Sequence, residues 1–540
     1  MMTTRNWLHD SVIYQIYPRS FRDANNDGVG DLSGIIDKLD YLNGRPDSLG
    51  ITAIWLSPFY TSPMKDFGYD ITDFCNVDPL FGGLNDFNRL VSEAHRRGIR
   101  VLIDFVPNHT SNEHPWFVGS RSSKSDLKRN WYVWRDPKQD GSPPNNWLSA
   151  FGGSAWELDQ TTKQYYLHSF LTHQPDLNWD NLEVREAMHG VLRFWLNLGI
   201  DGFRVDAAYC ISKDPEFRDD PLNRMYRPDR GDDPHRALVH RYSQHGPQLF
   251  NYLEGLAEVL KSYQDKFMII EAYPDDPLTA DQYYTKFYQL VDPSVGAPLN
   301  FEAFFTDWRA VDFENFITKF QNAMHPSYVP VYCFGNHDHS RIASRIGEAE
   351  ARTAAVLLLT LPGMPVIYYG DELGMRDGSI RNDQVVDPFG RNRSQFDFGR
   401  DPERTPFPWN NGFQAGFTTA SSSWLPVNKD YYEKNVISEL ADRSSSLQLY
   451  RSLLEFRLQS EALRYGEYRP LHIDNNDVFG YVRSTKDQEV TVLLNFSNLP
   501  QAVTRIVPCG KVVLSTHRSP AEFLRTLCLR PHEGLIILSD

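Results

Sequence analysis

Eight short apolar runs, most of them followed by a polar loop and an amphipathic helical pattern, constrain the fold of this chain more than any other feature. Strand-like runs that alternate with helical patterns predict a parallel sheet with right-handed crossovers. Eight such strands before about residue 372 match the number in an α/β fold, the (β/α)8 TIM barrel, whose functional loops follow the carboxyl ends of its strands. The predicted strands are residues 12–21, 53–57, 101–106, 202–207, 267–272, 299–304, 331–334 and 366–369.

The alternation stops twice, and each break predicts a further domain. Tryptophans and Pro- and Gly-containing turns after the third strand indicate an inserted subdomain at 109–178. Short alternating segments near the end predict a C-terminal antiparallel β-sandwich at 469–540. The barrel then consists of residues 1–108 and 179–468. Within it, the charged and proline-rich stretch 212–248 predicts a long loop that forms a pocket wall.

The composition excludes several classes of partner. A formal net charge of −15 over 540 residues opposes binding to nucleic acid or anionic membranes, since phosphate binding needs clustered Lys and Arg. Five cysteines without a Cys-x-x-Cys spacing indicate neither a disulfide framework nor a zinc site. The N-terminus has no apolar run, and no later run is long enough to span a bilayer. We therefore expect a cytoplasmic protein, monomeric or weakly dimeric, that acts on neutral small molecules without an organic cofactor.

The fourth predicted strand carries two charged residues, Arg204 and Asp206, within an otherwise apolar run. Side chains alternate across a strand, so these two residues share one face. Taken alone, the pair has two interpretations. Asp206 caps the next helix and Arg204 neutralises it, or both residues belong to a site at the strand end. Carboxylates at the ends of other strands favour the site.

The predicted strand ends bring acidic and basic side chains into one barrel mouth. These side chains are Asp206, Glu271, Asp338, His109, His337 and Arg204. Glycoside hydrolysis needs such a cluster, because one carboxylate attacks the anomeric carbon while another carboxyl group protonates the leaving oxygen. Arg204 would keep Asp206 ionised, and a drier site would keep Glu271 protonated. A metal site is the competing interpretation, although the histidines do not follow the spacing of zinc motifs.

A run of oxygen-bearing side chains follows the first predicted strand. Oxygen ligands at alternate positions of a glycine-containing turn converge on one hard cation. The predicted ligands of one structural Ca²⁺ or Mg²⁺ are the side chains of Asp23, Asn25, Asp27 and Asp31 and the carbonyl of Val29. A polar turn without metal is the alternative.

Five short motifs occur in an order typical of one enzyme family. They are DFVPNH at 104–109, QPDLNW at 174–179, GFRVD at 202–206, IEA at 270–272 and NHD at 336–338. Through these motifs the whole chain resembles an α-glucosidase of the α-amylase superfamily, glycoside hydrolase family 13. The resemblance implies Asp206 as nucleophile, Glu271 as general acid and base, and Asp338 as the residue that stabilises the transition state.

The same resemblance implies a set of substrate-binding residues: Asp66, Tyr69, His109, Arg204, His337 and Arg400. In the exo-acting branch the carboxylate of Asp66 would hold the non-reducing end of the sugar, and the ring of Tyr69 would stack beneath it. We assign the nearby Arg404 to a structural ion pair. The run 23–31 matches the family's Ca²⁺ or Mg²⁺ loop, whereas Asp371 stands where many relatives have glutamate.

Linkage preference is expected to depend on Ala207, the residue after the predicted nucleophile. In such enzymes valine at this position often marks α-1,6 cleavage, and alanine is more similar to the maltase type. We therefore expect a retaining, exo-acting α-glucosidase that releases glucose from maltose, short malto-oligosaccharides and sucrose, with some transglucosylation. The alternatives are an oligo-1,6-glucosidase, a dedicated transglucosylase and, more remotely, a non-catalytic partner subunit of a transporter. The last alternative is disfavoured because all three carboxylates are present and no membrane anchor is found.

Overall fold

Eight parallel strands close into a barrel, as the alternation of strands and helices predicts. The computed structural model describes residues 7–274, 278–392, 399–503, 510–517 and 527–539. The barrel strands are β1 (Ile13–Ile16), β2 (Ala53–Leu56), β3 (Arg100–Phe105), β4 (Gly202–Val205), β5 (Phe267–Ile270), β6 (Gly296–Asn300), β7 (Val331–Cys333) and β8 (Met364–Tyr368). Their order around the barrel is β1-β8-β7-β6-β5-β4-β3-β2, so strands adjacent in sequence are adjacent in space.

Eight helices cover the barrel, one after each strand. They are α1 (Leu32–Leu42), α2 (Leu84–Arg96), α3 (Leu182–Asn197), α4 (Leu249–Lys261), α5 (Ala280–Leu290), α6 (Ala310–Ala323), α7 (Glu348–Thr360) and α8 (Ser446–Gln459). The apolar stripe of α2, formed by Phe87, Leu90, Val91 and Ala94, is buried, and Gly98 follows that helix with φ 71°. Gly199 follows α3 in the same way, with φ 95°. Glycine favours this left-handed conformation at helix ends, so both helices stop where their strands must begin.

Two predicted strands differ from the observed strands by three or more residues at one or both ends, and the other six by one or two. The first ends at Ile16, and Pro18–Phe21 is helical, because proline at the first position of a helix costs no hydrogen bond. The sixth strand is Gly296–Asn300 instead of 299–304, and Glu302–Phe305 is helical. Aromatic residues favour strands in general, which explains the error. Here Phe301, at the start of this helix, packs against Tyr273 with ring centroids 5.1 Å apart.

Between β3 and β4 the chain leaves the barrel and forms a small sheet. Its strands, in spatial order, are Trp134–Arg135, Tyr165–Leu167 and Trp156–Leu158. Isolated β-bridges join His109 to Asp176 and Tyr132 to Leu177. The inserted segment is therefore fastened beside the end of β3, the strand that leads to His109.

A five-stranded antiparallel sheet follows the barrel. Its strands are β9 (Glu467–Pro470), β10 (Val478–Ser484), β11 (Glu489–Asn495), β12 (Lys511–Ser515) and β13 (Gly534–Ser539), in the order β9-β10-β11-β13-β12. A separate pair of strands joins Gln501–Ala502 to Cys528–Leu529. Cys509 and the parts of the predicted C-terminal domain at 504–509, 518–526 and 540 lie outside the described residues. The domain boundaries remain predictions.

Several short elements complete the described chain. Two further strands are Tyr60–Thr61 and Asp73–Val77, and the short helices are Trp7–Asp10, Pro18–Phe21, Pro115–Ser122, Glu302–Phe305, Ile342–Ile346, Pro388–Asn392, Val436–Ala441 and Glu461–Tyr465. Within the described ranges, we find no helix with the length and apolar character needed to cross a membrane.

Candidate active site

A cavity of about 570 Å³ opens at the carboxyl ends of the barrel strands. Arg204 and His337 are buried beneath its floor. The other predicted catalytic and substrate-binding residues line the cavity itself: Asp66, Tyr69, His109, Asp206, Glu271, Asp338 and Arg400. The barrel thus brings together residues that are separated by up to several hundred positions in the sequence.

Part of the cavity wall comes from the stretch 212–248, as its length and composition predict. Asp233, His235, Arg236 and Gln244 line the opening from this stretch. Phe305 and Tyr273 line the side formed by the loops after β5 and β6. The cavity therefore has a polar wall and an aromatic wall at its open end.

Arg204 connects three carboxylates at the floor of the cavity. Its Nη1 donates to Asp104 Oδ1 at 2.8 Å and to Asp206 Oδ1 at 2.6 Å. Its Nη2 lies 2.9 Å from Glu271 Oε2. The side chains of Arg204, on β4, and of Asp206, directly after β4, point to the same side, as side-chain alternation predicts. Asp206 is thus held in an ion-pair cluster, and the helix-cap interpretation does not apply.

The charge balance of this cluster favours one retained proton, because three carboxylates face one guanidinium in a buried site. Burial raises the pKa of both Asp206 and Glu271, and the charge of Arg204 opposes the rise. Glu271 also accepts a 2.5 Å hydrogen bond from the backbone N–H of Ala207, and this contact and that of Arg204 both reach Oε2. Both contacts lower the pKa of Glu271, and burial outweighs them. The retained proton therefore belongs to the Asp206–Glu271 pair as a whole.

Asp338 has the opposite environment, because two guanidinium groups contact one of its oxygens. Arg404 Nη2 donates to Oδ1 at 2.9 Å and Arg400 Nη1 at 3.1 Å. Burial would raise the pKa of Asp338, but the positive charges of Arg400 and Arg404 outweigh burial and hold the pKa well below its usual value. Burial also keeps the pKa of His337 well below its usual value, so the ring is neutral and the arginines supply the positive charge. Asp338 is therefore a permanent carboxylate.

Tyr69 and His337 form a stacked pair under the cavity. Their ring centroids are 5.6 Å apart with an interplanar angle of 4°, and Tyr69 Oη lies 2.6 Å from His337 Nε2. On the other side of the imidazole, Gln15 Nε2 lies 2.8 Å from Nδ1. The pair is thereby fixed in orientation, with Tyr69 facing the cavity.

A hydrogen-bond network around Arg400 lines one end of the cavity. Its Nη2 donates to Asp66 Oδ1 at 2.9 Å and to Asp387 Oδ1 at 2.8 Å. Gln174 Nε2 donates to the other oxygen of Asp66 at 3.0 Å and lies 3.1 Å from His109 Nε2. This network links Asp66, His109 and Asp387 at one end of the cavity through Arg400 and Gln174.

Sequence reasoning missed several of these residues. Asp104 and Gln174 stand within motifs that were recognised, but their own contacts were not predicted. Arg404 was assigned to a structural ion pair, yet its partner is Asp338 itself. No sequence motif marks Asp387 as a partner of Arg400. Asp387 lies in an irregular loop, far in sequence from the other partners of Arg400.

A buried ion pair supports His109 from behind. Lys213 Nζ lies 2.7 Å from Asp176 Oδ2 and donates to Asn108 Oδ1 at 2.8 Å. Asn108 in turn donates to the other oxygen of Asp176 at 3.1 Å. Lys213 thus ties the loop after β4 to the inserted segment and to the residue that precedes His109.

The loop at 23–31 has the donor chemistry of a hard-cation site. Its four predicted side-chain ligands all accept backbone N–H groups of this region; Asp23, for example, accepts from Asn26 at 2.6 Å and from Gly28 at 2.8 Å. All five predicted donors are oxygens, which suits Ca²⁺ or Mg²⁺. Across the residues that the structure describes, no three His, Cys, Asp or Glu side chains are grouped as a metal site. A cation here would therefore depend on Asn25 and the Val29 carbonyl as well.

Comparison with known proteins identifies the family. The model of the α-amylase catalytic domain matches residues 15–466. The chain belongs to the α-amylase family. It is 39% identical to Maltase 1 of Drosophila virilis, over 98% of this chain and 87% of that protein. It is 38% identical to an oligo-1,6-glucosidase of Heyndrickxia coagulans, over 98% and 99% of the two chains.

A solved structure has the same overall architecture. The α-glucosyl transfer enzyme XgtA superposes with a TM-score of 0.90 at 37% identity, over 99% of this chain and 100% of that chain. The α-amylase family member described here is thus a glycoside hydrolase of the α-glucosidase and oligo-1,6-glucosidase group. The sequence-based assignments of family, barrel and enzyme class are confirmed.

Proposed function

We propose that this α-amylase family enzyme is a retaining exo-α-glucosidase that releases glucose from the non-reducing end of short α-1,4-glucosides. The observation that carries the proposal is the pairing of Asp206 and Glu271 on one guanidinium beside a cavity lined at one end by Asp66 and Arg400. Retaining enzymes need two carboxyl groups only about 5–5.5 Å apart, and contact with the same guanidinium keeps these two groups close.

In the first step Asp206 attacks the anomeric carbon, and a covalent bond forms between its carboxylate and the sugar. The glycosidic C–O bond breaks at the same time, and Glu271 gives its proton to the leaving oxygen. In the second step Glu271, now ionised, takes a proton from water. The resulting hydroxide oxygen bonds to the anomeric carbon and releases Asp206, with retention of configuration.

Three groups support these steps in the proposal. Asp338, a permanent carboxylate, would accept hydrogen bonds from sugar hydroxyls as positive charge develops on the ring. Asp66 and Arg400 would hold the hydroxyls of the terminal glucose, which makes the reaction exo-acting. Tyr69 would stack beneath this ring, held in place by the buried His337, and His109 would contact other hydroxyls of the sugar.

The α-1,4 preference is supported by Ala207, whose small side chain follows the proposed nucleophile and lines the cavity. Maltose, short malto-oligosaccharides and sucrose are the proposed substrates. An oligo-1,6-glucosidase is the second candidate, because a relative with that name covers nearly the whole chain. The similarity to XgtA supports some transfer of glucose to acceptors. We further propose one structural Ca²⁺ or Mg²⁺ on the loop 23–31 and a cytoplasmic protein that is monomeric or weakly dimeric.

The test is glucose release from maltose, isomaltose and sucrose in parallel, with Asp206→Asn as the blank. Maltose should be preferred, and proton NMR should show α-glucose as the first product. Preference for isomaltose would favour the second candidate. β-Glucose as the first product would contradict the two-step mechanism.

A further inference from the structure

A second cavity of about 460 Å³ lies beside the active-site mouth, between α5 and α6. Its floor contains Asn300, the last residue of β6, and Tyr284 of α5, both buried. Glu302 and Phe316 belong to its sides. Because Asn300 ends a barrel strand, this cavity opens on the same face of the barrel as the active site.

The two cavities share one residue, Phe305. This side chain lines both of them and is 60% exposed, which is unusual for a phenylalanine. Its ring meets that of Tyr273, a residue of the active-site wall, edge to face with centroids 6.2 Å apart. An aromatic path therefore leads from the open end of the active site to the second cavity.

The floor of the second cavity presents a polar group without a partner. Asn300 is 1% exposed, and its Oδ1 accepts the backbone N–H of Glu302 at 3.0 Å, whereas its Nδ2 has no hydrogen-bond partner among the residues that the structure describes. A buried donor left unsatisfied is costly, so its presence in a cavity wall indicates a ligand that accepts a hydrogen bond. Tyr284, also in the floor of this cavity, is held in place because its Oη accepts a hydrogen bond from the backbone N–H of Phe301 at 3.1 Å.

The chemistry of the walls selects a neutral ligand with many hydroxyl groups. Phe305 and Phe316 offer apolar ring faces, while Asn300, Glu302 and Arg309 offer both donors and acceptors. Four acidic and two basic side chains line the cavity, and Arg309 is paired with Asp312, so an anionic ligand is not favoured. Sugar rings combine apolar faces with hydroxyl groups that both donate and accept, and a volume of this size holds more than one such ring.

We propose that this second cavity binds distal glucose units on the reducing side of a longer α-glucan substrate or acceptor. The inference depends on the proposed α-glucosidase function. With the terminal glucose held by Asp66 and Arg400, the rest of the chain leaves through the open end, passes Phe305 and reaches Asn300. Maltose is too short to use the cavity, whereas maltopentaose extends into it.

The test compares kcat/KM for maltopentaose with kcat/KM for maltose in the full-length enzyme. Phe305→Ala removes the shared ring, and Asn300→Asp keeps the acceptor for Glu302 but removes the Nδ2 donor. The ratio of the two constants should fall about fivefold in each variant, as expected for the loss of one ligand contact. Phe413→Ala, at a residue that is 65% exposed and lines neither cavity, should leave the ratio unchanged. An unchanged ratio in both test variants, at wild-type melting temperature, would overturn the proposal.

A crystal of Asp206→Asn soaked with maltopentaose provides the second measurement. Sugar rings beside Phe305 and Asn300 would support the proposal, and a bound chain that leaves by another route would overturn it. If the wild-type enzyme releases glucose from neither sugar, the proposed function fails. If glucose is released but the ratio of the two kcat/KM values is the same in the variants as in the wild type, only the proposal for the second cavity fails.

Discussion

The backbone N–H of Ala207 donates a hydrogen bond of 2.5 Å to Glu271 Oε2. Ala207 adopts the left-handed conformation, with φ 42° and ψ 37°, and this turn directs its N–H toward Glu271. The residue after Asp206 therefore positions the second carboxyl group of the site. An L-residue with a Cβ adopts this conformation at a cost of about 1–2 kcal/mol.

Ala207→Val should lower both stability and turnover, because a β-branched side chain is a stronger outlier in this conformation. We expect the free energy of unfolding to fall by about 1–3 kcal/mol and kcat on maltose to fall with it. Ala207→Gly is the matched control, since glycine adopts positive φ without strain. Thermal melts and kcat measured on the three proteins provide the check. A valine variant with the same melting temperature as the wild type would show that the left-handed turn is not under strain.

Arg204→Gln should move the acid limb of the pH–activity profile to higher pH. The charge of Arg204 opposes the rise that burial imposes on the pKa of Asp206, so its removal lets that pKa rise further. Because Asp206 acts as the carboxylate, activity is then lost at a higher pH as the solution is acidified. We also expect kcat to fall by about 10²-fold or more, measured on an activated aryl α-glucoside.

Arg204→Lys is the control that separates the effect of the positive charge from the effect of the guanidinium geometry. An ammonium group keeps the positive charge but does not reach three carboxylates with a planar fork. We expect a reduced kcat with an acid limb nearer to that of the wild type. If activity fell at the same acidic pH in the glutamine and lysine variants, the proposed electrostatic role of Arg204 would be contradicted.

Local patterns predicted the barrel and its site well because the information lies within short segments. Side-chain alternation alone placed Arg204 and Asp206 on one face, and their hydrogen bond of 2.6 Å agrees. Strand ends that carry Asp206, Glu271 and Asp338 meet because parallel strands of a barrel end on one face. Gly98 and Gly199 follow the ends of α2 and α3 in the left-handed conformation that glycine favours after a helix.

Contacts between irregular loops were not predictable in the same way. Asp387 bonds to Arg400, but neither residue lies on a strand, and no period or motif relates them. The pairing of Lys213 with Asp176 joins the loop after β4 to an inserted segment whose position depends on tertiary packing. The Phe301–Phe304 run was misread as a strand because aromatic content does not distinguish a buried helix turn from an edge of the sheet.

Removal of divalent cations should lower the melting temperature if the loop 23–31 binds Ca²⁺ or Mg²⁺. A cation that binds only the folded protein adds about 2.7 kcal/mol of stability at 100 times its Kd. We expect EDTA to lower the melting temperature by several degrees and added Ca²⁺ or Mg²⁺ to restore it. Asp27→Asn removes an exposed ligand charge and should weaken the restoration. Equal melting temperatures with and without chelator would contradict the cation.

Asp371→Asn should stabilise the protein increasingly as the pH rises toward neutrality. Asp371 follows β8 and is buried. Within the described part of the chain its Oδ1 has no hydrogen-bond partner, and its Oδ2 lies 2.6 Å from the position that a Cβ on Gly335 would occupy, beside the loop that carries His337. Burial raises the pKa of Asp371 to about 7, with Glu372 adding to the rise. The folded state therefore keeps the proton over a pH range in which the unfolded state has lost it.

The sign of the effect follows from this difference in proton binding. Above its unfolded pKa of about 3.9, the proton that Asp371 keeps costs the folded state about 1.4 kcal/mol per pH unit, until the folded pKa near 7 is passed. Asparagine has no such cost, so the gain in melting temperature over the wild type should be larger at pH 8 than at pH 5. Asp229→Asn, at an exposed position, should show no such trend. An equal gain at both pH values would mean that Asp371 is already ionised in the folded protein at pH 5, and that the loop before His337 packs against a charge.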